Sequence, residues 1–189
     1  MPTLAFFIVF YFAGTTVPFS AEGKLSLLGL IFVSTFLFPF GSILLLHTTA
    51  LLGNLQVDEK TSRPLPYVTV TVFYTMITYF FVDKVGIAVL PSSMIIAVAI
   101  TTALTTVLST FLSFSIHSTA MGGVLGLLFC VKAIYYEINT LIYPIAFCIL
   151  LAGLVMTARL SMQKRTLLQV FFGLALGFFC CFGVLYFLI

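Results

Sequence analysis

The chain has 189 residues, of which 62% are hydrophobic and only 7% charged. A soluble domain of this size has too little polar surface to cover so much apolar side chain, so the composition specifies a membrane protein. The net charge of +3 rests on scattered residues, with no basic stripe and no nucleic-acid-binding motif, and no nucleic-acid partner is expected.

A spanning helix needs about 20 mostly apolar residues. The stretches that qualify or come close are 2–18, 25–52, 67–82, 86–108, 115–132, 138–157 and 166–189. The expected architecture is all-α: one integral membrane domain over residues 1–189, a polytopic helical bundle of six to seven spans.

The first stretch has no basic region before Leu4-Ala5-Phe6-Phe7, so a cleaved signal peptide is not expected. It is short for a span, which implies either an upstream start or an incompletely embedded first helix. Pro39 falls inside the long second stretch and is placed to kink it. Asp83-Lys84 divides the third stretch from the fourth, and Pro91 falls near the start of the fourth, where a proline is tolerated. A second division falls near Ser113. Gly122 and Gly126 in the fifth stretch, and Gly173 and Gly177 in the last, have the four-residue spacing that lets spanning helices approach closely. Cys130, Cys148, Cys180 and Cys181 all lie in apolar runs without metal-ligand spacing and read as small packing residues.

Three polar islands interrupt this pattern: Asp58 to Pro64, Ser115 to Ser118, and Arg159 to Arg165. Two spans separate each island from the next, and an even number returns the chain to the same membrane face. Glu22 with Lys24, Asp83 with Lys84, and Lys132 with Glu137 fall on the other face as balanced pairs. The islands instead hold Lys60, Arg63, Arg159, Lys164 and Arg165 against Asp58 and Glu59. The bias of basic residues would put the islands in the cytoplasm, but an anion site would create the same bias, so orientation stays open.

Charge is expensive within a bilayer, so these residues are either interfacial anchors or parts of a site. For Lys24, Lys84, Lys132 and Lys164 the anchor reading is favoured. Arg63, Arg159 and Arg165 carry planar forks of donors that suit phosphate. Ser115 would add a hydroxyl, and the amides of a helix starting beside it favour an anion. His117, in the first turn of that helix, is placed to protonate a leaving oxygen, or else is a satisfied residue of the bundle.

In order, the islands resemble the motifs of the type 2 phosphatidic acid phosphatase superfamily, the lipid phosphate phosphatases. The first family motif sets a lysine six residues before Arg-Pro; here Arg63-Pro64 match, Gln56 holds the lysine place, and Lys60 lies one turn nearer as a substitute. The second, Pro-Ser-Gly-His, reads Phe114-Ser115-Ile116-His117. The third has Ser-Arg, a histidine after five residues and an aspartate after three more; here Arg159 matches, Arg165 stands at the histidine place and Gln169 at the aspartate place. The likeness runs from about Leu52 to Ile189.

This resemblance implies a helical bundle with a metal-free and cofactor-free phosphate pocket at one membrane surface. Lys60, Arg63, Ser115, Arg159 and Arg165 would be the phosphate-binding residues and His117 the catalytic one. It implies a phospholipid or polyprenyl phosphate headgroup as partner and a location in a bacterial inner membrane. In the family the third-motif histidine attacks phosphorus and the aspartate orients it. Arg165 has no lone pair to offer, and Gln169 cannot stabilise an imidazolium as a carboxylate does. The other histidine, His47, lies nine residues before Gln56 in the second stretch and is a poor replacement. Headgroup binding without turnover is therefore the leading expectation. Behind it stand a phosphatase with rearranged residues, a structural protein with relic motifs, and, last, a transporter. The lipid and the oligomeric state are left open.

Overall fold

Within a bilayer the backbone has no water to bond, so apolar stretches of this length can satisfy their own N–H and C=O groups only by coiling into helices. The computed structural model describes residues 2–13, 21–38, 40–41, 44, 64–85, 88–112, 114–136, 139–161 and 166–189, and every regular element among them is helical. The elements are α1 (Pro2–Phe12), α2 (Ala21–Phe32), α3 (Pro64–Tyr79), α4 (Val89–Phe111), α5 (Ile116–Ile134), α6 (Ile142–Ser161) and α7 (Leu167–Leu188). π-helical turns extend α2 over Val33–Leu37 and α3 over Phe80–Val85, and a 3-10 turn over Asn139–Leu141 leads into α6. The helices α4 to α7 are each long and apolar enough to cross a membrane.

The boundaries differ from expectation in two places. The first stretch was expected to run to residue 18, but α1 stops at Phe12 after 11 residues. That length is about 16 Å, roughly half a bilayer core. The helix is nonetheless central: Ala5, Phe6, Val9 and Phe10 are buried and pack into the main core, while Phe7 and Tyr11 face outward. The division expected at Asp83-Lys84 lies further on, because the helical backbone continues through both residues to Val85. Lys84 Nζ sits 3.2 Å from Asp83 Oδ2, with both side chains exposed. The charges satisfy each other at the helix end and need not break it. Pro39 and all of 45–63 lie outside the described residues. The break near Ser113 is present: Leu112 is extended, and α5 begins at Ile116.

Helix direction follows from cross-contacts. Thr71 on α3 meets Thr102 and Thr106 on α4, its hydroxyl lying 2.7 Å from that of Thr106, so the start of α3 pairs with the end of α4. The Ser115 N–H donates to the Gln169 carbonyl at 3.3 Å, which joins the starts of α5 and α7. These two helices run parallel, and α6 joins them in sequence, running back from the opposite end. At the opposite end, Thr140 Oγ1 donates to the Phe12 carbonyl at 2.8 Å and ties α1 to the start of α6.

The α5–α7 contact is the most extensive in the bundle among the described residues. Glycine makes it possible. A Cβ at Gly122 would overlap the Leu174 carbonyl, and one at Gly126 the Phe178 carbonyl. On the other helix, a Cβ at Gly177 would overlap the Thr119 carbonyl, and one at Gly173 would lie 2.7 Å from that of Ser115. The two backbones interlock from both sides, as the sequence spacing predicts.

Candidate functional site

The end of the bundle that gathers the starts of α3, α5 and α7 also receives the end of α6. Ser115 approaches it in extended conformation and the chain turns helical at Ile116. Ser115 is the N-cap residue of α5, yet its side chain bonds none of the first-turn amides. Instead Ser115 Oγ accepts from Ser118 Oγ at 3.0 Å, an arrangement that leaves the Ser115 hydroxyl proton uncommitted among the described residues. Its carbonyl receives both the N–H and the Oγ1 of Thr119, at 3.0 and 3.1 Å. Ser115 is thus buried and pinned to α7 by its own N–H.

His117 is two residues further along the helix, about 200° around its axis from Ser115. That rotation takes it out of the α5–α7 contact, and its side chain is exposed. Arg159, in the last turn of α6, lies close enough for its charge to act on the His117 imidazole. A cation at a helix C-terminus is favoured by the helix dipole. Arg159 is half-buried, and among the described residues neither it nor His117 has a hydrogen-bond or ion-pair partner. Two residues from separate islands therefore lie at the same end of the bundle.

The start of α7 carries a feature that the sequence analysis did not use. Thr166 Oγ1 accepts from the Gln169 N–H at 3.4 Å, and the Thr166 N–H donates to Gln169 Oε1 at 3.2 Å. This is a capping box, and its signal was present as Thr-x-x-Gln ahead of an apolar run. Gln169 thus anchors a helix start and, through its carbonyl, holds Ser115.

Lys60, Arg63 and Arg165, and with them His47, Gln56 and Lys164, lie outside the described residues. Pro64, which follows Arg63, opens α3 at the same end as Ser115. On the opposite end, Lys132 donates to the Tyr136 carbonyl and to Asn139 Oδ1, each at 3.2 Å, and lies 5.6 Å from the Tyr136 ring centre. It closes the end of α5. Among the described residues no group of three or more His, Cys, Asp or Glu side chains could hold a metal ion. No protein-family model, curated protein or solved structure matches the chain.

Proposed function

We propose that this is a type 2 phosphatidic acid phosphatase-like membrane protein that binds a phosphorylated lipid headgroup without turning it over. The observation that supports this reading best is that exposed His117 and half-buried Arg159 lie at the same end of the bundle, near enough for the guanidinium charge to act on the imidazole, with no hydrogen-bond or ion-pair partner for either among the described residues. The uncapped start of α5 carries His117, and Ser115 lies on the other side of the same turn, buried against α7. A phosphate monoester would supply acceptors for the Arg159 fork, the Ser115 hydroxyl and the first-turn amides. Lys60, Arg63 and Arg165 complete the shell in this proposal on sequence spacing alone, as does a total of six to seven spans in a bacterial inner membrane.

The missing chemistry is the nucleophile. Arg165 stands where attack would originate, and a guanidinium has no lone pair for it. Such a protein would hold, present or sense a phosphorylated lipid.

The test is affinity of the purified chain for vanadate and for short-chain phosphatidic acid. A charge-assisted bond contributes roughly 1.5–3 kcal/mol, so Arg159→Ala is expected to weaken binding about 10- to 100-fold. Unchanged affinity in both Arg63→Ala and Arg159→Ala would reject headgroup binding. Phosphate release that disappears in His117→Ala would overturn the absence of turnover.

A further inference from the structure

A cavity of about 240 Å³ lies inside the bundle, walled by α1, α3, α4, α5 and α7. On α5 its wall runs from Ile116 at the His117 end to Leu127, a depth of 11 residues or about 16 Å. Burial is graded along that depth. Thr105, Ile116 and Ala120, near the His117 end, are only half-buried, whereas Val98, Leu127 and Cys181, deeper in, are buried. Burial along the cavity thus increases away from the end of the bundle that carries His117.

Its wall is rich in threonine, but the hydroxyls are spent on their own helices. Thr101 Oγ1 donates to the Ala97 carbonyl at 2.7 Å, Thr102 to Ala99 at 2.8 Å, and Thr119 to Ser115 at 3.1 Å. The Tyr74 hydroxyl donates to the Thr35 carbonyl at 3.3 Å. A polar ligand would lose its water here and find few partners, which is costly. The volume exceeds the ~150 Å³ of an apolar cavity that takes up benzene, so several carbons of a chain fit.

We infer that this cavity seats a hydrocarbon chain of the phosphorylated lipid, its headgroup held at the His117 and Arg159 end. The identity of the lipid rests on the headgroup proposal; the chain seat does not. Moving a chain from surrounding lipid into the cavity gains no hydrophobic transfer energy, because lipid tails are already apolar. The gain is contact made with walls that otherwise face a void. The chain therefore supplies fit, and the headgroup supplies most of the affinity.

The test uses the full chain in nanodiscs with two photoreactive probes: a phosphatidic acid carrying a diazirine in mid-chain, and the diacylglycerol with the same chain. Peptide mass spectrometry maps the adducts. The expected result is labelling at the cavity residues Leu127, Val98 or Cys181. Ala120→Phe, which fills the upper cavity, should lower that labelling about tenfold, and so should Thr105→Phe as an independent plug. Cavity labelling by phosphatidic acid and not by diacylglycerol supports both the seat and the headgroup. Equal labelling by both supports the seat and counts against the headgroup proposal. Adducts confined to outward-facing residues such as Phe179 in the unsubstituted protein would overturn the seat, whatever the vanadate affinity, and so would cavity labelling that neither plug reduces.

Discussion

Two helix pairs in this bundle are built on opposite principles. α5 and α7 touch backbone to backbone, with glycines from each helix receiving carbonyls of the other. α3 and α4 touch through side chains, chiefly the Thr71–Thr106 hydroxyl contact, and leave between them an open groove of about 490 Å³ beside Thr75, Tyr79 and Ile100. Lipid tails are as apolar as leucine, so spanning helices associate by close packing and hydrogen bonds more than by the hydrophobic effect. The first pair uses close packing and tolerates no added atom at its seam. The second uses hydrogen bonds and has room to spare. The placement suits the two roles: the rigid pair fixes Ser115 and the first turn that carries His117, while α3 and α4 wall the cavity.

Substitution can break this contrast. The largest effect is expected from Gly177→Leu, which drives a side chain into the Thr119 carbonyl. Overpacking of this kind costs about 1–3 kcal/mol or more, and should appear as a lowered thermal midpoint and loss of the monodisperse species in detergent. A fall no greater than that of a lipid-facing substitution would show the seam to be loose. Next in size is Gly153→Ala on α6, where nothing lies within 4 Å of the added Cβ. There the better helix former should raise stability by roughly 0.5–1 kcal/mol, read as a higher thermal midpoint. The smallest change is expected from Thr71→Val. Thr106 keeps its bond to the Thr102 carbonyl at 2.8 Å, so its own hydroxyl is not orphaned. The loss should be near the ~0.6 kcal/mol average for hydrogen bonds between membrane helices, and a loss as large as that of Gly177→Leu would erase the distinction.

Much of the fold was legible because composition and span length act locally. The apolar runs that became α4 to α7 were bounded to within a few residues, and the break near Ser113 was placed correctly. The glycine pairs foretold a close helix contact, though not that each pair would serve the same one. Other features were not legible. Nothing in Pro2–Phe12 says that a helix too short to cross will sit in the core. Asp83 and Lys84 read as a break because charge usually ends a span, yet the pair neutralises itself on a continuing helix. The span starting at Thr166 is placed by its apolar run, although Thr166-x-x-Gln169 also spells the capping box that starts it.

The candidate site divides in the same way. The sequence alone determined that Ser115, His117 and Arg159 flank spans, since bilayer thickness fixes where polar residues can fall. It also determined that no histidine occupies position 165. Only the tertiary structure decided which of these residues meet. Helix α5 begins at Ile116, and that register turns Ser115 into the α7 contact and His117 out of it, toward the reach of Arg159. The register depends on the Gln169 carbonyl and on interlocked glycines some 60 residues away in sequence. Contacts at that separation leave no local pattern, because they exist only once the helices have packed.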